Sequence, residues 1–149
     1  PPSLVIVTGI DSPWVPFGAH RHPFGDLIGW RQAAGQAERL RAGMAPVAGH
    51  EPQLFVGNWS LASRIAWYAR PRPVLVADSR VDQFDLWFGT PAPGSAGVLV
   101  VPDNYHGNPE ASGRARFETC TLADTLAVRQ DSTPVHTFRF YRCQGYLGQ

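Results

Sequence analysis

Three short apolar runs separated by helical patterns constrain this chain most. They are Gln53-Leu54-Phe55-Val56, Val74-Leu75-Val76-Ala77 and Gly97 to Val101. Each is too short for a core helix and too uniformly apolar for a strand with one wet face. Runs of this kind suit strands covered on both sides, as in a parallel sheet. Between the first two, Leu61 to Ala69 repeats apolar residues at helical spacing, and Pro71 and Pro73 stop it. Asn58 or Ser60 is placed to cap that helix. Upstream, Asp26 to Gly43 reads as a first helix, with Leu27, Ile28, Trp30, Ala34, Ala37 and Leu40 in helical register. Asp26 stands at the capping position and Gly43 at the stop.

The end of the chain is different. Phe117 to Val128 and Val135 to Cys143 read as two long strands around a turn at Gln130-Asp131-Ser132-Thr133. The expected fold class is therefore α/β: a mainly parallel sheet flanked by helices, with a C-terminal antiparallel hairpin at one edge. A hairpin centred between Asp131 and Ser132 sets Val128 opposite Val135 and Cys120 opposite Cys143. Facing residues lie roughly 5 Å apart, within reach of a disulfide. Two readings of Cys120 and Cys143 stand: a disulfide, or two buried thiols. A disulfide would place the domain in an oxidising compartment. Residues 104–114 form a polar loop with one helical turn near Pro109-Glu110. Residues 24–149 make a single α/β domain. Residues 1–23 read as a linker or N-terminal extension, where Leu4 to Val7 is a short strand or the end of a linker.

Composition excludes several classes. With 44% hydrophobic residues in 149, the chain has enough apolar material for a core and does not read as disordered. A net charge of +1 supplies no long-range basic field for steering onto nucleic acid or anionic lipid, and nucleic acid is not expected as a partner. The chain has no lysine; arginine is the only strong base, which a GC-rich genome explains. The longest apolar runs, Leu4 to Val7 and Val98 to Val101, fall far short of the ~20 residues a membrane helix needs. No secretory signal pattern is present, and the start at Pro1-Pro2 without Met reads as a fragment or a processed product.

No complete catalytic centre is legible. His20, His22, His50, His106 and His136 match no zinc spacing, so no metal site is expected. Gly-rich phosphate cradles and a G-x-S-x-G elbow are absent, and no cofactor is expected. Asp82 and Asp85 read as loop charges. The residues following the strands are better placed, because open α/β sheets bind ligands beyond the carboxyl ends of their strands. These are Asn58, then Asp78-Ser79-Arg80, then Asp103-Asn104, with Gln83 and Trp87 close by. The candidate ligand-binding set is Asn58, Arg80, Gln83 and Trp87. Arg80 either holds a phosphate or carboxylate, or pairs with Asp82 or Asp85. Trp87 either stacks on a sugar ring or fills the core.

Three segments occur in a meaningful order. Phe24-Gly25-Asp26-Leu27-Ile28-Gly29-Trp30 leads into a helix, Asn58 to Tyr68 is an N-x-x-x-A-x-x-x-x-[FW]-Y helix after a strand, and Gln83-Phe84-Asp85-Leu86-Trp87 is a Q-[YF]-D-L-W motif. Together they resemble the C-terminal extracytoplasmic domain of bacterial polytopic glycosyltransferases of the protein O-mannosyltransferase and aminoarabinose transferase superfamily. Phe138 to Tyr146 is similar to that domain's closing strand. The resemblance spans roughly residues 24–146. It implies a polyprenyl-phosphate sugar donor, a location on the periplasmic side of the inner membrane, and catalytic carboxylates in a region that this sequence lacks. No catalytic residue is carried over. The implied partners are the enzyme's own transmembrane region and a lipid-linked sugar or glycan acceptor. Trp30 and Trp67 are expected to face the sheet. The rival reading is a stand-alone sugar- or nucleotide-binding α/β module.

Overall fold

The computed structural model describes residues 3–6, 29–47, 49–70, 72–77, 91–130 and 133–148. In chain order its main elements are β1 (Ser3–Ile6), α1 (Trp30–Ala42), β2 (Gln53–Val56), α2 (Trp59–Ala69), β3 (Val74–Val76), β4 (Gly97–Pro102), β5 (Phe117–Gln130) and β6 (Thr133–Tyr146). Single turns at Asp103–Tyr105, Pro109–Ser112 and Arg114–Arg116 bridge β4 and β5.

The uniform apolarity of the short runs follows from burial on both faces. On one face Leu54, Val56, Val74, Val76, Val98 and Val100 meet the two helices. On the other, Phe55, Leu75, Leu99 and Val101 join Phe117, Cys143 and Tyr146. Helix α1 presents Trp30, Ala33, Ala34 and Ala37, an i, i+3, i+4, i+7 stripe, and α2 presents Leu61, Ala62 and Ile65. The alanines let α1 sit close to the sheet. Both long helices thus cover the same face. The opposite face carries the turns after β4: Arg114 places its guanidinium 5.2 Å from the Tyr141 ring, and Phe55 meets Phe117 edge-on at 5.0 Å.

The fold is α/β with a mixed sheet, ordered β1-β5-β6-β4-β2-β3 among the described residues. Strand β2 runs parallel to β3 and β4, and β1 runs parallel to β5. Strand β6 runs antiparallel to both β4 and β5. The hairpin is therefore not at an edge as expected; it lies inside the sheet. Its strands offer two long unpaired sides. β4 takes one, from Gly97↔Cys143 to Pro102↔Phe138, and β1 takes part of the other, from Ser3↔Leu126 to Ile6↔Arg129. Covering that second side removes a run of open backbone groups that would otherwise invite association. Of the two readings of Leu4 to Val7, the structure takes the strand for Leu4 to Ile6, and Val7 lies outside the described residues.

The hairpin register also departs from simple facing. Cys120 does face Cys143, but Val128 faces His136 rather than Val135. Irregularities between Leu122 and Asp124 and between Val128 and Arg129 shift the pairing by one residue and then restore it. Cys120 and Cys143 are joined by a disulfide, with Cα atoms 4.1 Å apart.

Two further differences concern the helices. Helix α1 begins at Trp30, because Gly29 adopts φ 91° and breaks the helical path. A side chain there would meet Val128 Cγ2 at 2.7 Å, so both the turn and the packing require glycine. Asp26, the expected cap, lies outside the described residues. Trp30 faces the sheet at 3% exposure, but Trp67 does not: it is 62% exposed, on the outer side of α2. The expectation for Trp67 failed because Leu61, Ala62 and Ile65 already supply the inward stripe.

The C-terminal end of α1 is fixed by a charged cluster. Buried Arg41 donates to both carboxylate oxygens of Glu38 at 2.7 Å, to Glu51 at 3.2 Å and to the Pro52 carbonyl at 3.1 Å. Arg72, just past α2, pairs with Glu51 at 3.3 Å. The hydrogen bonds from Arg41 hold the Glu38 carboxyl below the usual range, against a smaller opposing effect of burial, with the charges of Arg41 and Arg72 adding to the lowering. A depressed carboxylate pKa stabilises the fold above the ordinary glutamate value and loses that contribution as pH falls through the folded value. Glu38→Gln should therefore cost less than about 1 kcal/mol near neutral pH, since the site is partly open to water. The gap from the parent should close in acid, as read by urea denaturation across pH.

Candidate functional site

Backbone rules place the residues around the carboxyl ends of the strands. Gly57, just after β2, lies against the backbone of the Pro109–Ser112 turn, where an added Cβ would clash with the Ala111 carbonyl oxygen. Asn58 follows in extended conformation, and its side chain accepts a hydrogen bond from the Leu61 amide at 3.1 Å. Of the two capping candidates, Asn58 caps α2. Replacing it with alanine should cost about 1 kcal/mol, while Asn58→Asp should cost little. Thermal melting of both variants checks this.

Strand β4 leads into Asp103, whose carboxylate accepts from Arg139 of β6 at 2.8 Å. Asn108 caps the Pro109–Ser112 turn through the amides of Glu110 and Ala111. Arg114 donates to the His106 carbonyl at 2.6 Å. The segment after β4 is thus held by its own polar side chains.

At this end of the sheet a cavity of about 80 Å³ is lined by Trp30, Leu61, Arg64, Pro102, Asn104, Tyr105 and His136. Four elements meet here: the first turn of α1, the start of α2, the segment after β4, and β6. Its aromatic wall is ordered. Trp30 lies edge-on to Phe138 at 4.8 Å and to His136 at 5.8 Å, and His136 is tilted over Phe138 at 4.3 Å. The Arg64 guanidinium sits 5.5 Å from the Trp30 ring centre. The volume admits roughly two or three waters, or one small polar group of a larger ligand. Ring faces, an arginine, an imidazole and an amide line the cavity, in a volume smaller than one that encloses a whole small-molecule ligand. Among its described lining residues there is no carboxylate.

Of the residues singled out from sequence, Asn58 is a helix cap and Asp103 an ion-pair partner, while Asn104 lines the cavity. Arg80, Gln83 and Trp87 lie outside the described residues, as do Asp78, Ser79, Asp82 and Asp85. His50 is exposed beside the Val47–His50 bridge, and no group of His, Cys, Asp and Glu suited to a metal occurs among the described residues. Sequence reading missed Trp30, Arg64 and His136 as neighbours. They lie 34 and 72 positions apart in succession, and only the packing of both helices on a sheet that contains β6 brings them together.

No helix among the described residues is long and apolar enough to cross a membrane. No protein-family model, curated protein or solved structure matches this chain.

Proposed function

We propose that this chain is the periplasmic C-terminal domain of a membrane-bound glycosyltransferase that uses a polyprenyl-phosphate sugar donor. By itself it is non-catalytic and aids binding of the acceptor or donor. The observation that carries the binding role is the cavity at the carboxyl ends of the strands, walled by rings and polar groups but without a carboxylate in its described lining. The three ordered sequence motifs support the family, and the Cys120–Cys143 disulfide suits an oxidising compartment. In this reading the sheet is a parallel α/β core into which the antiparallel hairpin has been inserted.

Two measurements test it. The gene upstream of Pro1 should encode many apolar spans, with an acidic pair in the first extracytoplasmic loop; a soluble upstream region would end the reading. In the full-length enzyme, Arg64→Gln should raise KM for donor or acceptor by about tenfold with kcat nearly unchanged, the pattern of a lost binding contact. The second reading is a stand-alone sugar- or nucleotide-binding module, with one polar group of its ligand held in this cavity. A rise in Tm of the 149-residue chain with a free sugar or nucleotide, removed by Arg64→Gln, would favour that reading.

A further inference from the structure

The helical layer as a whole concentrates positive charge, and Arg31, Arg39 and Arg70 are exposed on its outer side. Helix α1 and residues 59–72 hold six arginines (31, 39, 41, 64, 70 and 72) against one acidic residue, Glu38. That is a formal +5 within a chain whose total is +1, so the remainder carries −4. Of the six, Arg41 is buried, Arg64 lies at the cavity against Trp30, and Arg41 and Arg72 are engaged with Glu38 and Glu51, so the charge open to a partner is that of Arg31, Arg39 and Arg70. Arg31, Arg39 and Arg70 have no carboxylate partner among the described residues.

The same face exposes two neighbouring aromatic side chains. Trp67 is 62% and Tyr68 44% exposed, the two largest rings left open to solvent among the described residues. Each is paired with a cation. The Arg70 guanidinium lies 3.9 Å from the Trp67 ring centre, and that of Arg31 lies 5.6 Å from the Tyr68 ring centre. Helix α2 itself has no acidic residue. Two neighbouring exposed rings bordered by cations form an apolar patch with a polar rim, the kind of surface that marks an interaction site.

We infer that this face docks on an anionic membrane surface. Indole and phenol rings settle at the headgroup level, where the ring meets the acyl boundary and the polar edge stays wet. Nearby arginines gain from anionic headgroups. Two shallow rings with adjoining cations form a two-part anchor: neither part suffices alone, and together they hold a domain reversibly. A second copy of the chain fits poorly, because it would bring two such positive faces together. The inference goes beyond the transferase reading and stands without it, since a stand-alone module would bear the same face.

The test is co-sedimentation of the 149-residue chain with vesicles of phosphatidylglycerol and phosphatidylethanolamine in equal parts, against vesicles of phosphatidylcholine alone. Binding should be at least about tenfold tighter on the anionic vesicles and should weaken as salt rises. Trp67→Ser with Tyr68→Ser should weaken it about tenfold, and Arg31→Gln with Arg70→Gln should do the same while flattening the salt dependence. Leu122→Ser, an exposed apolar residue on the sheet face away from the helices, should leave binding unchanged. Circular dichroism and melting confirm that each variant folds. Equal binding to both vesicle types, or binding unmoved by both double variants, would overturn the inference. So would self-association through this face without vesicle binding. A soluble region upstream of Pro1 would end the transferase reading and leave these results untouched.

Discussion

Gly57→Ala should destabilise the domain by about 3 kcal/mol or more, the upper range for an overpacked interior site. The reason is contact, not backbone freedom. The new methyl would clash with the Ala111 carbonyl oxygen and stand 2.7 Å from the Ser112 carbonyl carbon and 2.8 Å from its oxygen. All three are backbone atoms, so no side chain can swing aside. Relief requires the end of β2 to separate from the Pro109–Ser112 turn, and that turn is held by Asn108 and by the Arg114 bond to His106. Gly107→Ala is the matched control. An added Cβ meets nothing within 4 Å there, so this change should be neutral or stabilise by a few tenths of a kcal/mol through the unfolded chain. Urea denaturation of the two variants reads the difference. Equal midpoints would mean that the segment after β4 does not press on Gly57. Since that segment also supplies Asn104 and Tyr105 to the cavity, Gly57→Ala should loosen the pocket as well as the fold.

The parts of the fold that were legible in the sequence are those set by local chemistry. Strands β2, β3 and β4 are legible because burial on two faces leaves them apolar after the half-buried Gln53. Asn58 could be read as a cap because the rule involves only the next three residues. The start of α1 could not: Leu27 and Ile28 continue the helical spacing, yet the positive φ at Gly29 interrupts it. Gly29 is required because Val128 and Phe138 press on it, and neither is visible from its neighbours in sequence. The interior position of the hairpin was hidden for a similar reason. Four residues of β1 carry no local sign of where they pair. Trp67 shows the limit of motif reasoning: a ring in a recurring pattern reads as core, yet Leu61, Ala62 and Ile65 already fill the inward stripe of α2. The site divides in the same way. Asn104 follows a strand and was anticipated, whereas Trp30, Arg64 and His136 meet only through tertiary packing.

Removal of the disulfide should be the other large effect. Cys120 and Cys143 close a loop with a sequence separation of 23, and the loss of that cross-link should cost about 3 kcal/mol on the chain-entropy view. For a domain of this size that is a fall of roughly 10 °C in Tm. The bond joins the start of β5 to the end of β6, on the face where Cys143 is fully buried with Phe55, Phe117 and Tyr146. The substitution must therefore be chosen to separate cross-link from packing. Cys120→Ala with Cys143→Ala removes the bond and keeps an apolar contact. Cys120→Ala with Cys143→Ser should cost more, because it buries a hydroxyl in an apolar cluster. A reductant should lower the Tm of the parent chain towards that of the double-alanine variant and leave the variant itself unmoved. A double-alanine variant that melts with the parent would show that hairpin pairing alone sets the stability here. The hairpin carries β1 on one side and β4 on the other, so its loosening should open the sheet from the centre. The cavity should go with it, since His136 reaches the pocket only through β6.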